Sequence, residues 1–301
     1  MALRRIIPTC VFAATLLTSV VLWTTTTPAA AVDSPVAAVA VSSGVTHTCA
    51  IVTSGQVKCW GYNGSGGLGL GDTLSRGLAS EQMGDNLPTV DLGAGRTATA
   101  IATGWESTCA LLDNRQVKCW GFNGYGELGQ GDRIKRGDGP GEMGDNLPPV
   151  DLGTGRTATA ITANKEGTRC ALLDNGQVKC WGSDGGGGLL GASTRGSQSI
   201  GDEPGEMGDN LPAVDLGTGR TAVAVSAGEF MVCALLDNGQ VKCWGRGGYL
   251  GLGDTQSHGS GFGPMGDGLP AVDLGTGRTA RAISAGFDHT CALLDNGGIK
   301  C

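Results

Sequence analysis

Thr108-Cys109-Ala110-Leu111-Leu112-Asp113-Asn114-Arg115-Gln116-Val117-Lys118-Cys119-Trp120-Gly121 is two short apolar runs around a polar turn. Runs of about five residues bounded by Gly, Asn or Asp are strands rather than helices. In two sister copies the turn reads Asp174-Asn175-Gly176 and Asp237-Asn238-Gly239. A three-residue hairpin loop places its last residue in the left-handed region, where glycine carries no steric penalty. Closing the hairpin on such a loop sets Leu112 opposite Gln116, Leu111 opposite Val117 and Cys109 opposite Cys119. Directly opposite strand positions lie about 4.5–5.5 Å apart, inside the Cα range of a disulfide. Each bridge then staples one hairpin, with roughly 2–3 kcal/mol expected for so small a loop in the chain-entropy model. Arg115 stands where the sister copies have glycine, at a cost of about 1 kcal/mol, and nothing in the sequence explains it.

The same pattern is written five times, as Cys49/Cys59, Cys109/Cys119, Cys170/Cys180, Cys233/Cys243 and Cys291/Cys301. A recurrence of this length means a solenoid, a propeller or an array. Four pairs run straight on into Trp-Gly; the fifth meets the last residue, so the chain reads as cut in mid-unit. The units fall near 38–92, 93–152, 153–216, 217–274 and 275–301, the last one partial. In the second, Ala98-Thr99-Ala100-Ile101-Ala102 precedes the hairpin and Pro148-Pro149-Val150-Asp151-Leu152 follows it, giving four expected strands. No stretch outside the N-terminus offers an amphipathic helical period. Zinc is the competing use for the thiols, but its near ligands are spaced by two to four residues rather than nine. Helical hairpins with twin Cys-x9-Cys motifs are opposed by the Asp-Asn-Gly turns.

Residues 1–31 read as a signal peptide: Arg4 and Arg5, a mostly apolar run from Ile6 to Trp23, then Ala29-Ala30-Ala31 as a small-residue cleavage site. Cleavage there removes Cys10 and leaves ten paired cysteines, which fits an oxidising compartment. The expected product is secreted or displayed at the cell surface, with no membrane span after cleavage; an uncleaved anchor is the alternative, opposed by Thr9, Thr15, Thr18 and Ser19. Net charge is −7 over the whole chain, and losing the two arginines makes it more negative. Nucleic acid and anionic membrane are therefore excluded as partners, since phosphate contacts need clustered Lys and Arg. With 55 glycines and 11 prolines in 301 residues, a disordered low-complexity chain is the bland alternative. The periodic apolar runs and tryptophans argue for a folded one.

The order of motifs resembles the repeat of the regulator of chromosome condensation family, also called alpha-tubulin-suppressor-like repeats, in a secreted, disulfide-bearing, bacterial-type version. The first unit gives Thr46-His47-Thr48-Cys49-Ala50, Gly55-Gln56-Val57, Trp60-Gly61 and Gly67-Leu68-Gly69-Leu70-Gly71-Asp72; the second gives Gly126-Glu127-Leu128-Gly129-Gln130-Gly131-Asp132; the fifth restores Ala285-Gly286-Phe287-Asp288-His289-Thr290-Cys291. The likeness covers essentially everything after the leader. It implies an all-β fold, a β-propeller of four-stranded antiparallel blades, usually seven, so that a full ring needs more sequence than the five units here. Radial stacking covers both faces of each sheet. It makes Trp60, Trp120, Trp181 and Trp244 packing residues between blades. The third unit departs from the pattern at Ser183-Asp184-Gly185-Gly186-Gly187-Gly188. Arg96, Arg156, Arg220 and Arg278, each near Asp91, Asp151, Asp215 or Asp273, read as ties between blades.

Chemistry has little to stand on. His47 and His289 share one repeat position, which makes them structural, and His258 stands alone. There is no Ser, His and acid spacing and no Gly-x-Ser-x-Gly elbow. Gly64-x-Gly66-x-x-Gly69 and Gly124-x-Gly126-x-x-Gly129 match a dinucleotide pattern, but no helix follows. No loop has the ligand order of a calcium site, and the acidic box of sialidase-type propellers is missing. The expectation is no catalytic residue, no metal and no cofactor. Units differ most between their first two strands, and such loops share one face of a propeller. They carry His47, Trp105, Glu106, Lys165, Glu166, Glu229, Phe230, Met231, Phe287, Asp288 and His289; a second variable set, Tyr62, Phe122, Tyr125, Arg246 and Tyr249, follows Trp-Gly. Aromatics within an acidic set are the mix of a protein-binding hot spot; relaxed loops without a ligand are the plainer reading. The function expected is a non-catalytic propeller that binds an extracellular protein partner through this face, with inhibition as a sub-case. The alternatives are an extracellular enzyme or carbohydrate binder and, opposed by export and acidity, guanine-nucleotide exchange.

Overall fold

A computed structural model describes residues 37–192, 198–259 and 261–301; the leader and Cys10 lie outside the described residues. The rest is five antiparallel sheets in chain order. Blade one holds β1 (Ala38–Ser43), β2 (His47–Val52) and β3 (Val57–Gly61); blade two holds β4 (Ala98–Thr103), β5 (Ser107–Leu112) and β6 (Val117–Gly121). Blade three has β7 (Ala158–Ala163), β8 (Thr168–Leu173), β9 (Val178–Ser183) and the two-residue β10 (Ser199–Ile200). Blade four has β11 (Ala222–Ala227), β12 (Met231–Leu236) and β13 (Val241–Gly245); blade five has β14 (Ala280–Ala285), β15 (Thr290–Leu294) and β16 (Ile299–Lys300). The first strand of each blade lies against the first strand of the next. This is a β-propeller arrangement, and it places the small Ala-rich runs at the crowded inner position.

The hairpin register is the one the turn dictates. Cys109 faces Cys119 and Leu111 faces Val117, while Leu112 N–H donates to Gln116 O at 2.9 Å. All five expected pairs are bridged: Cys49–Cys59, Cys109–Cys119, Cys170–Cys180, Cys233–Cys243 and Cys291–Cys301. The expected Cα separation is corrected, since the bridged residues stand 3.9–4.1 Å apart, closer than ordinary opposite positions. Counting from the hydrogen-bonded Leu112–Gln116 pair, the cysteines fall at a non-hydrogen-bonded position, where strands approach most nearly. Cys49, Cys59, Cys109, Cys119, Cys170, Cys180, Cys233 and Cys243 are buried between blades. In blade five Cys291 is half-buried and Cys301 is exposed.

Arg115 adopts φ 65°, the left-handed conformation that Gly55, Gly176, Gly239 and Gly297 adopt at the same turn. That turn also caps the next blade: Arg115 O accepts Ala158 N–H at 3.0 Å, as Gly176 O accepts Ala222 N–H at 2.8 Å.

The fourth run differs from the expected strand. Val150 donates one hydrogen bond to Val117 O at 2.7 Å, and Val90, Val214 and Val272 repeat it. Proline immediately before or two before the valine removes a donor from the ladder, so pairing stops at this contact, which in unit one makes the isolated bridge Lys58–Thr89. The outer edge is shared with the preceding loop through isolated bridges Gly61–Arg76, Gly121–Arg136 and Gly245–His258, or through β10 in blade three.

Between blades, Trp120, Trp181 and Trp244 are fully buried and donate Nε1–H to Gly67 O, Glu127 O and Leu189 O of the preceding blade, each at 3.0 Å. On the same strand face, nearer the hairpin turns, the ties are lysines. Lys118 Nζ donates to Leu92 O at 3.0 Å and Gly144 O at 2.7 Å, and Lys179 and Lys242 repeat the pattern. Above them Asp209 accepts Thr154 N–H and Oγ1–H, and Asp267 does the same for Thr218. The expected Arg–Asp ties are corrected: Arg96, Arg156, Arg220 and Arg278 pair at 3.2–3.5 Å with the hairpin-turn residues Asp113, Asp174, Asp237 and Asp295 of their own units. Asp91 instead caps its own turn at Gly93 N–H.

Candidate functional site

The two variable sets meet at one end of the blades, because the segment after Trp-Gly hydrogen-bonds to the loop between the first two strands. Tyr62 N–H donates to Thr46 O, Phe122 N–H to Glu106 O, Ser183 N–H to Gly167 O and Arg246 N–H to Phe230 O, at 2.8–3.2 Å. Neighbouring loops are also joined to one another. Val45 N–H donates to Gly104 O at 3.2 Å and Thr46 Oγ1–H to Trp105 O at 2.7 Å across the first seam. Asn164 Nδ2–H reaches Glu229 O at 3.3 Å, and Glu229 N–H reaches Phe287 O at 3.0 Å.

This framework holds two aromatic clusters. In blade two, Trp105 and Tyr125, each about half exposed at 50% and 49%, flank Phe122, with ring centroids 6.3 and 6.4 Å apart. Across blades four and five, Phe230 packs against Tyr249 at 4.9 Å and perpendicular to Phe287 at 5.5 Å. Lys165 Nζ stands 5.3 Å from the Phe287 ring centroid and the Arg246 guanidinium 5.5 Å from that of Phe230. Such cation–π contacts are worth about 0.5–1 kcal/mol each at an exposed site, enough to bias long side chains toward the rings.

Acids complete the second cluster. Burial pushes the Glu166 carboxyl up, opposed by Arg246; burial first and Glu166 second push Glu229 up. Asp288 and His289 are exposed and touch at 3.3 Å. Glu106 is half-buried and accepts a hydrogen bond from Ser65 Oγ–H at 2.6 Å.

Two of the expected contact residues are corrected: Met231 and His47 are buried, at 0% and 4% exposure. Each sits two residues before a bridged cysteine and so shares the sheet face that the next blade covers; His289, at the same position in blade five, is exposed. His47 Nε2 is 2.7 Å from Thr108 Oγ1, which itself donates to Gly67 O, so the imidazole is the donor. Burial, then the nearby Arg169 charge, lower its pKa to about 4.

Sequence reasoning missed a buried charge beneath the face. Arg169 is 1% exposed; burial lowers its pKa to about 10, with Glu127 opposing. Burial likewise raises the Glu127 carboxyl, against a hydrogen bond from Tyr125 N–H. The available signal was the residue before cysteine, Thr48, Thr108, Val232 and Thr290 in four units but Arg169 in the third. Among the described residues no group of three or more His, Cys, Asp or Glu is placed to hold a metal ion.

With this geometry in hand, comparison with known proteins places the repeats. The model of the Regulator of chromosome condensation (RCC1) repeat matches residues 38–66, 98–127, 222–249 and 280–301, which fall on units one, two, four and five. The chain is 30% identical over 215 residues to the RCC1 domain-containing protein RUG3, mitochondrial, of Arabidopsis thaliana, covering 71% of this chain and 43% of that protein. It is 27% identical over 224 residues to the ultraviolet-B receptor UVR8 of the same plant, with the same coverage, and 28% identical over 256 residues to the human E3 ubiquitin-protein ligase HERC2, covering 83% of this chain and 5% of that protein. The chain thus spans less than half the length of these curated relatives. Among solved structures, human WBSCR16 superposes with a TM-score of 0.61 at 18% identity, covering 86% of this chain and 60% of that one. Yeast RCC1 (Prp20), solved bound to Kap60, gives 0.61 at 18% identity, covering 87% and 55%. At that identity the likeness speaks for the fold.

Proposed function

As a chain built of regulator of chromosome condensation repeats, the protein has a fold suited to protein binding or regulation, and we propose that it is a secreted or cell-surface, non-catalytic propeller that binds an extracellular protein through the loop face described above. The observation that carries this reading is the pair of aromatic clusters. Trp105, Tyr125 and Phe287 are about half exposed, yet their loops are fastened by backbone hydrogen bonds from blade to blade. Aromatic anchors with low conformational freedom are the residues that dominate binding energy at protein interfaces, and fixing them beforehand removes part of the ordering cost of association. Acids and cations around the Phe230 cluster supply the polar rim. Five bridged cysteine pairs support an oxidising compartment, whatever compartment a relative's name gives for that relative.

The test uses the purified mature protein as bait for extracellular proteins from its source, with a Trp105→Ala/Phe287→Ala double variant beside it. The expected result is a partner retained by the wild type and bound at least ten-fold more weakly by the double variant, with both baits unfolding at the same temperature. Equal capture by the two baits overturns the loop-face reading. Recovery of the protein only from the reduced cytosol overturns its location.

A further inference from the structure

Four seams separate the five blades, and three of them are joined near the loop face by the same two devices. The first is a loop-to-loop hydrogen bond: Val45 N–H to Gly104 O between blades one and two, Asn164 Nδ2–H to Glu229 O between three and four, and Glu229 N–H to Phe287 O between four and five. The second is an inner-strand hydroxyl that accepts from the next inner strand. Ser42 Oγ accepts Thr103 N–H at 3.1 Å, Thr162 Oγ1 accepts Ala227 N–H at 3.0 Å, and Ser226 Oγ accepts Ala285 N–H at 2.9 Å.

The seam between blades two and three lacks the second device, because the equivalent residue is Ala102, which faces Cys109 as Ser42 faces Cys49. Among the described residues it also shows no backbone bond between the 104–107 and 164–167 loops. Arg169 crosses there instead. Its Nη1 donates to Asn164 O at 3.1 Å and Thr168 O at 2.9 Å on its own blade, and its Nη2 donates to Ser107 Oγ on blade two. The guanidinium lies close against Gly104: a Cβ built there would stand 2.2 Å from Nη2 and 2.8 Å from Cζ. Gly104 and Ser107 bracket Trp105, and Asn164 precedes Lys165 and Glu166.

We propose that Arg169 is a positioning residue that registers the Trp105 loop of blade two against the Lys165–Glu166 loop of blade three, making the two aromatic clusters one continuous face. A planar fork with several donors suits this better than an ammonium, since it engages both loops at once. Methionine at 169 keeps the packing volume but removes the fork, leaving the buried Glu127 carboxyl and the Asn164, Thr168 and Ser107 acceptors without their cation, a loss that costs stability as well as register. The substitution Arg169→Met therefore separates filling from positioning. Other bonds also hold the seam, among them Trp181 Nε1–H to Glu127 O and Arg133 to Asp202, so Arg169 is not its sole support.

The purpose of the joint rests on the loop-face reading, but its test needs no partner. Amide hydrogen exchange is followed by mass spectrometry on the purified wild type, Arg169→Met and Ser107→Ala. In both variants, peptides covering 104–108 and 164–168 are expected to exchange at least ten-fold faster. Under conditions where both variants are folded, peptides covering the bridged hairpins of blades two and three keep their wild-type rates, while Arg169→Met melts at a lower temperature than the wild type. Wild-type loop protection in folded Arg169→Met, or acceleration spread evenly over both blades, overturns the proposal. If Arg169→Met does not fold, Ser107→Ala decides alone, since it removes only the blade-two acceptor. Failure of partner capture with intact loop exchange would count against the proposed function and not against this joint.

Discussion

His47 should make the protein acid-sensitive in a defined window. Its imidazole is held neutral under blade one by burial and by the Arg169 charge, with a pKa of about 4 against an ordinary value of 6.5. The unfolded chain therefore binds a proton on this group at higher pH than the folded one, and stability falls as pH drops through the interval between them. The contribution is fully present above pH 6.5 and is lost by about pH 4; below that both states are protonated and the difference is constant. At about 1.36 kcal/mol per pH unit across that interval, the loss amounts to roughly 3 kcal/mol. Carboxylates also titrate here, and burial pushes Glu127 in the opposite sense, so the quantity to measure is a difference. Urea unfolding of the wild type and His47→Gln, which keeps a donor for Thr108 Oγ1, is compared at pH 7 and pH 4. The wild type should lose about 3 kcal/mol more than the variant between the two. Losses that agree to within about 1 kcal/mol would refute the claim that folding keeps this imidazole neutral.

Peptide mapping of the unreduced protein should return five links, each within one hairpin, and Cys109→Ala/Cys119→Ala should cost roughly 2–3 kcal/mol by denaturant unfolding; links between units would contradict the register. Arg115→Gly should stabilise by about 1 kcal/mol, because Arg115 occupies φ 65°, where a side chain is penalised and glycine is not. A loss of stability there would mean that the arginine side chain has a compensating role.

Local rules carried the hairpins far. A glycine-ended turn and two cysteines at a fixed offset leave one register, and every unit adopted it. The fourth run departs from a strand because apolar content does not ensure pairing: Pro148 and Pro149 remove donors, and Val150 is buried by packing on the blade with a single bond to Val117 O. The ties failed for a different reason. Arg96 follows Asp91 closely in sequence, but at the Gly93 bend Asp91 turns back to cap its own backbone, leaving the arginine to the hairpin-turn acid. Lys118, buried on the same face of β6 as Trp120, reaches the carbonyls Leu92 O and Gly144 O and takes the role. His47 and Met231 read as loop ends in the sequence; the two-residue period of a strand puts them on the face of Cys49 and Cys233, and only the next blade stacked on that face buries them.

In a chain whose units solve the same packing problem, residues that recur at each step answer to the architecture, and those occurring once are the ones left to explain. The lysine ties, the tryptophan donors and the bridged cysteines recur and need no ligand. The Trp105 and Phe230 clusters do not recur, and neither does Arg169. These singular features are not scattered: Arg169 touches Gly104 and Ser107 on either side of Trp105, its own loop carries Lys165, and Lys165 lies over Phe287. Independent drift in relaxed loops gives no reason for a fully buried guanidinium, costly to desolvate, to sit where the singular loops of two blades meet. A requirement that these loops keep a common register does.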